Sequence, residues 1–291
     1  MQSRLAGVAL QLAALATFVA MDTIIKLMTA SFAVPQVMWA RFLFGFLTVA
    51  LALRLATGHF PWRSRAPGAQ TARSLILAAC NWLFTTALVH IPLADATAVG
   101  FASPLFTVAL AALWLREKVG WRRWVGVAIG LVGVLVLLRP PFLFAGEPVH
   151  WAMLLPLGTA ALFAIYQILT RKLAAVDDPR TTILHTSFAA TIVTSAALPF
   201  DWTWPSAGGW GALVLLGILG GAGHGLLVMA FARAPASLLA PMSYTQMIWA
   251  VLAGVLVFSD VPDAITIAGM VVIAGGGVLV ALPDRKRDPA G

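Results

Sequence analysis

Apolar runs of close to twenty residues follow one another from end to end of this chain, and its charges are confined mainly to the short segments between them. Wound as a helix rising about 1.5 Å per residue, such a run crosses the roughly 30 Å of hydrocarbon in a bilayer. Only 10% of the residues are charged and 60% are apolar, whereas a soluble domain carries about a quarter charged. The chain is therefore expected to be an all-α integral membrane protein.

The formal charge of +8 raises the question of nucleic acid. The basic residues fall in separate clusters such as "HFPWRSRAPGAQTAR", "LREKVGWRRW" and "DRKRDP". They form no continuous basic face, so no nucleic-acid partner is expected. The single cysteine, Cys80, leaves no internal disulfide and no zinc-finger-type metal site. Arg4 precedes an apolar run too long for the core of a cleavable signal, so the first helix is expected to remain as an anchor.

Apolar length and turn punctuation predict ten spans, near 5–29, 35–56, 73–90, 92–115, 121–139, 150–172, 181–199, 208–231, 235–258 and 263–282. Trp62, Trp121, Trp151, Trp202 and Trp204 gather at span ends, as an interfacial aromatic belt requires. With the amino terminus in the cytoplasm, sixteen of the nineteen basic residues lie on the inner side. Only Lys26, Arg41 and Arg139 fall outside. One span more or fewer would scramble this alternation. The positive-inside rule thus predicts a multi-pass protein of the cytoplasmic (inner) membrane with both termini cytoplasmic.

Shifting the chain by 143 residues lays "IPLADATAVGFASPLFTVALAALWLREKV" over "APASLLAPMSYTQMIWAVLAGVLVFSDVP". Pro92 meets Pro235, Glu117 meets Asp260, Gly126 meets Gly269, Gly133 meets Gly276, and Pro140 meets Pro283. Five spans per half is an odd number, so the second half enters the membrane upside down. The expected architecture is two inverted five-helix repeats around a central cavity, over 1–140 and 150–283, with a cytoplasmic tail at 284–291. Such repeats build alternating-access transporters.

The helix pair in "PLADATAVGFASPLFTVALAALWLREKVGWRRWVGVAIGLVGVLVLL", repeated as "PASLLAPMSYTQMIWAVLAGVLVFSDVPDAITIAGMVVIAGGGVLV", resembles the EamA branch of the drug/metabolite transporter superfamily. The resemblance covers nearly the whole chain. It implies a cavity enclosed by spans one, three, four, six, eight and nine, with spans five and ten at structural contacts. The opening stretch and "VPQVMWARFLFGFL" are similar to members proposed to carry riboflavin or S-adenosylmethionine. The superfamily also includes amino-acid exporters.

Polar residues at membrane depth mark the candidate site. In "ATFVAMDTIIKLMTASF", Asp22 and Lys26 lie one turn apart on one face of the first span, on a stripe shared with Gln11 and Phe18. A charge at mid-helix costs about 2.5–3.5 kcal/mol on insertion scales, so both are expected at a wet cavity rather than in lipid. Snorkelling of Lys26 to the interface is the rival reading. Arg41 is a candidate partner of Asp22, while Asp95 reads better as a cap in the first turn of the fourth span. Asn81, Trp82, Tyr166, Gln167, His224, Tyr244 and Gln246 occupy the cavity spans implied by the resemblance, and Trp249 shares the ninth. His185 is expected at the periphery. Pro104 and Pro241 are read as hinges or packing kinks. Gly221 and Gly223, within "GILGGAGHGLL", are read as points of bending.

These readings favour a secondary transporter of a small organic metabolite, riboflavin-like, S-adenosylmethionine-like or amino-acid-like, with an amino-acid or drug exporter of the same fold as the alternative. The partners expected are a small-molecule substrate and the lipid bilayer, with protons as a candidate coupling ion through Asp22 or His224. A monomer suffices and a dimer is compatible. An integral-membrane enzyme or a non-transporting scaffold is the reading from another class. The chain has no HExxH, GxSxG or Walker A sequence, so no catalytic residue, cofactor or metal is expected.

Overall fold

The computed structural model describes residues 2–28, 31–90, 99–140, 143, 150–197, 202–258 and 263–281. Among them every regular element is helical. In chain order these are α1 (Gln2–Met28), α2 (Val34–Thr57), α3 (Pro67–His90), α4 (Ser103–Trp114), α5 (Trp121–Leu138), α6 (Leu154–Leu173), α7 (Pro179–Thr186), α8 (Phe188–Ala197), α9 (Ala207–Arg233), α10 (Ala236–Leu239), α11 (Gln246–Ala253) and α12 (Ala264–Ala281). Among the described residues, five helical stretches are long and apolar enough to cross a membrane: Arg4–Ile25, Val34–Thr57, Trp151–Leu173, Ala207–Arg233 and Ala236–Val257.

Local signals set the helix ends. α2 opens with Pro35 in its first turn, where the missing N–H costs nothing, and stops at Gly58. Gly58 has φ 74° and donates its N–H to the Arg54 carbonyl. Asp178 caps α7 by accepting from the Arg180 N–H, and Ser206 caps α9 by accepting from the Gly209 N–H.

Four spans differ from expectation; the fourth is broken by a turn at 101–102, so that α4 begins at Ser103. The third starts at Pro67 rather than near 73, which moves Arg73 from a connecting segment onto a helix. The seventh is broken at Ser187 into α7 and α8. The ninth is a composite in which Ala240–Thr245 is wound as a 3-10 turn between α10 and α11, and Gly254–Phe258 forms a π turn. Pro241 accounts for the first of these interruptions, since it donates no N–H and its ring blocks a continuous α-helix.

The helices pack in related pairs. α1 lies against α9 and α3 against α6; α2 packs on α9, and α3 on α8. α4 touches α6, and α1 touches α11. These contacts centre on a core that includes Phe18, Met21, Phe42, Leu77, Tyr166 and Phe231. α5 and α12 pair with each other around a separate cluster with Val127, Val134, Tyr244 and Ile273. Small residues allow these approaches, because packing rather than the hydrophobic effect joins helices in lipid. Where α2 meets α9, a Cβ on Gly217 would stand 2.8 Å from the Gly45 nitrogen. The outward surface carries Leu55, Leu113, Leu256 and Val271, with Trp62, Trp121, Trp151 and Trp204 exposed near helix ends.

Candidate functional site

A pocket of about 170 Å³ lies between α1, α3, α4, α6, α9 and the 3-10 turn. Phe18, Phe84, Phe101 and Phe163 form its aromatic walls. Its polar lining is Gln11, Gln167 and Gln246 with Ser103 and Ser243. Gln11 and Phe18 are two turns apart on one face of α1, with Leu15 between them. The Gln11 Nε2 reaches the Ser243 hydroxyl at 3.4 Å, while its buried Oε1 has no hydrogen-bond partner among the described residues. The buried Ser103 hydroxyl is in the same position.

The Thr107 hydroxyl lies 2.9 Å from the Ser103 carbonyl and 3.1 Å from the Gln167 amide. One hydroxyl proton cannot serve both acceptors. If the carbonyl takes it, Gln167 contributes its Nε2 to Thr107 and turns its Oε1 to the pocket. In either orientation one half of this amide is left for a ligand.

Behind the pocket sits a buried polar column. The Phe18 ring is 4.9 Å from His224, whose Nδ1 lies 3.1 Å from the Tyr166 hydroxyl. The Tyr166 ring stacks on Phe163, and the Arg73 guanidinium lies 5.1 Å from its centroid. Arg73 is fully buried and donates to the Thr170 hydroxyl at 3.1 Å, the Thr182 carbonyl at 2.7 Å and the Thr186 hydroxyl at 2.6 Å.

Towards the far end of α1, the face buried at Gln11, Leu15 and Phe18 becomes exposed at Asp22. Arg41 is near enough to interact electrostatically with Asp22, and donates to Asn81 Oδ1 at 2.6 Å. Asn81 Nδ2 in turn donates to the Leu77 carbonyl at 2.7 Å. The side chain of Lys26, and all of Asp95 and Asp260, lie outside the described residues.

A second set of polar contacts centres on Glu117. Glu117, on the loop after α4, accepts from the Ala236 N–H at 3.1 Å, the Ser237 N–H at 3.1 Å and the Ser237 hydroxyl at 2.6 Å. Arg123 donates to the same hydroxyl. Arg171 reaches Glu117 at 3.9 Å and donates to the Phe231 carbonyl at 2.7 Å. Just beyond, the Asp177 carboxylate accepts from the Ser64 hydroxyl, the Arg65 N–H and the Gln70 amide. Burial pushes the Asp177 carboxyl up, but those hydrogen bonds hold it below its ordinary value. His185, expected at the periphery, is buried and contacts the Trp62 carbonyl at 3.0 Å.

Of the residues singled out in the sequence, the structure brings Gln167, Gln246 and Pro104 to the pocket. Tyr166 and His224 form its backing, and Asp22, Arg41 and Asn81 lie towards its exposed end. Tyr244 packs under Gly130 and beside Phe101, and Trp82 is 45% exposed at the outer surface. Pro104 occupies the first turn of α4, where no N–H is needed, rather than mid-helix. Gly221 and Gly223 lie inside the unbroken α9, where Gly45 and Phe18 take up the space of their missing side chains. The sequence signalled Gln11 and Phe18 only as part of a stripe, and it gave no sign of Phe84, Phe101, Ser103, Phe163 or Ser243. Arg73 was hidden because its flank, "GAQTARS", reads as a loop.

Membrane-length helices throughout the bundle make this a multi-pass membrane protein. The model of the EamA-like transporter family matches the chain twice, over residues 5–139 and 150–282, and the chain belongs to that family. A riboflavin transporter of Vibrio cholerae is 31% identical over 208 residues, covering 71% of this chain and 68% of its own. An S-adenosylmethionine uptake transporter of Rickettsia conorii is 27% identical over 286 residues, 98% of this chain and 96% of its own. The pseudopaline exporter CntI of Pseudomonas aeruginosa is 28% identical over 282 residues, 97% of each. One solved crystal structure superposes with a TM-score of 0.80 at 22% identity, covering 96% of both chains, and supports the fold alone. The chain is a small-metabolite transporter of the EamA family, with a small molecule as substrate and the bilayer as its surroundings.

Proposed function

We propose that this protein carries a small organic metabolite across the cytoplasmic membrane by alternating access, using the pocket as its substrate site. The observation that carries the reading is that both halves of the chain build the pocket. α1, α3 and α4 come from the first half; α6, α9 and the 240–246 segment come from the second.

Exchange of the two halves maps the contacts onto one another, which supports the repeat. The 143-residue shift turns the α1–α9 pair into α6–α3, α2–α9 into α8–α3, and α4–α6 into α11–α1, and each of these contacts is present. The glycine contacts of α5 and α12 obey the same relation. A Cβ on Gly133 would stand 3.1 Å from the Gly269 carbonyl, and one on Gly276 would stand 3.1 Å from the Gly126 carbonyl. Two halves with five spans each, over 1–140 and 150–283, are then inverted about an axis in the membrane plane. With both termini cytoplasmic, the Glu117 contacts seal the inner end and Asp22 faces the open outer end, with residues 284–291 as a cytoplasmic tail. Two fused halves need no second copy. Of the two groups expected to couple protons, Asp22 and His224, Asp22 lies at the exposed end and is favoured. The transporter names of the relatives support a carrier rather than an enzyme.

Counterflow tests this reading. Vesicles containing the purified protein and loaded with a metabolite that raises its melting temperature should transiently accumulate the labelled form of that metabolite. Flux that ignores the internal solute would identify a pore, and Ser103→Trp, which fills the pocket, should stop the exchange.

A further inference from the structure

We propose that the pocket recognises an uncharged, planar nitrogen heterocycle through a cyclic amide or imide edge, read by the carboxamides of Gln11 and Gln167 and the Ser103 hydroxyl. This rests on the pocket being the substrate site and names the chemical class admitted there.

Charge selects the class first. Among the described residues that line the pocket none is charged. The nearby cations are engaged elsewhere: Arg73 with three threonines beneath Tyr166, and Arg41 with Asn81. An ionic group brought into this space would lose its water and gain no counter-charge, which is among the most costly forms of burial. A sulfonium, a phosphate or a set of carboxylates is therefore rejected.

Shape selects next. Four phenylalanines wall a space of about 170 Å³, smaller than the ~300–1,000 Å³ that encloses a whole drug-sized ligand. A flat ring system fits between such walls and gains ring–ring contact. Any flexible arm is left in the opening.

Hydrogen bonding selects the edge. Gln11 Oε1 and the Ser103 hydroxyl are buried with no partner among the described residues, and half of the Gln167 amide is uncommitted. A buried acceptor without a donor is a standing cost that the correct ligand removes. A cyclic imide holds an N–H between two C=O groups, so its N–H can meet Gln11 Oε1 while a flanking C=O accepts from the Ser103 hydroxyl or from the free half of Gln167. An aromatic hydrocarbon satisfies neither group, and a site built to hydrogen-bond rejects an analogue lacking the partner far more strongly than it rejects a missing methylene.

Riboflavin is the probe, because its isoalloxazine carries an imide edge and its fluorescence reports stacking. Full-length protein in detergent should quench riboflavin fluorescence saturably, and lumichrome, which keeps the ring and lacks the ribityl arm, should compete. N3-methylriboflavin, with the imide N–H blocked, should bind about tenfold more weakly or worse, the consequence of losing one hydrogen bond. Riboflavin 5′-phosphate, whose charge sits at the end of the arm left in the opening, should bind about as well as riboflavin, and S-adenosylmethionine, whose adenine carries no imide edge, should be weaker than either. Gln11→Leu and Gln167→Leu should each weaken riboflavin by about tenfold while leaving the size-exclusion profile unchanged. The proposal is overturned by riboflavin and lumichrome failing to bind, by N3-methylriboflavin binding as well as riboflavin, or by S-adenosylmethionine matching it. Failure of the underlying site reading looks different. If Ser103→Trp leaves counterflow of a transported solute intact, the pocket is not the site. If it stops the exchange of a charged solute, the site stands and the uncharged class falls.

Discussion

Arg73 donates to Thr170, Thr182 and Thr186 and lies over the Tyr166 ring, so a fully buried cation is held by neutral oxygens and a π face. The two hydroxyls have further outlets, since Thr170 donates to the Tyr166 carbonyl at 2.8 Å and Thr186 to the Thr182 carbonyl at 2.9 Å. Arg73→Ala therefore loses its hydrogen bonds and opens a cavity without orphaning every partner. The expected cost is about 2–4 kcal/mol, read as a fall in melting temperature of roughly 5 °C or more. Arg73→Lys should recover only part of it, because an ammonium cannot reproduce the fork of three donations. Asp177 permits a pH test. Hydrogen bonds from Ser64, Arg65 and Gln70, aided by His185, outweigh burial and hold its carboxyl below 3.8. A depressed carboxyl contributes stability that is complete above its unfolded value and is lost as pH falls through its folded value. Asp177→Asn should thus lower the melting temperature at neutral pH. The gap to the unaltered protein should narrow as pH drops below about 4. Neither residue could be found by hydropathy: both sit in polar sequence near helix ends, and only the fold shows that this polar sequence is interior.

Helices were legible in the sequence wherever the signal was length and apolarity, as in α1, α2 and α9. What stayed hidden was interruption inside a span. The 3-10 turn at Ala240–Thr245 was signalled by Pro241 alone, yet it places Ser243 in the pocket beside Gln11. The glycines of α9 read as flexibility, and at Gly217, Gly221 and Gly223 a neighbouring residue occupies the space a side chain would take. Which of them matter follows from what lies opposite. A Cβ on Gly217 would come within 2.7 Å of the Phe44 backbone carbon and 2.8 Å of the Gly45 nitrogen, neither of which can rotate away. At Gly211, on the same helix, nothing lies within 4 Å. Gly217→Ala should force α2 and α9 apart at about 1–3 kcal/mol. Gly211→Ala should be neutral or stabilise by up to about 1 kcal/mol through helix propensity. Thermal unfolding of the two variants in the same detergent compares them directly.

At the scale of the whole molecule, the proposed alternating access, in the proposed orientation, requires that opening one end closes the other, and the Glu117 contacts are the ones it would release. Glu117 takes three hydrogen bonds from the start of α10 and sits 3.9 Å from Arg171. α1 extends about 22 Å from the level of Gly7, which packs on Ala234, to Asp22 at the exposed end. Losing charge-assisted bonds worth about 1.5–3 kcal/mol in total would move a two-state equilibrium roughly ten- to a hundredfold towards the form open at the Glu117 end. The single cysteine makes this measurable, because Cys80 is buried and Cys80→Ala leaves a background without thiols. On that background Asp22→Cys should react with a membrane-impermeant thiol reagent applied outside. Ser237→Cys, at a position buried beneath Glu117, should resist the reagent applied inside. Adding Glu117→Ala should raise labelling at position 237 and lower it at position 22 in parallel. If the two positions instead gained reactivity together, the halves would move independently, and the molecule would be a leak rather than a carrier.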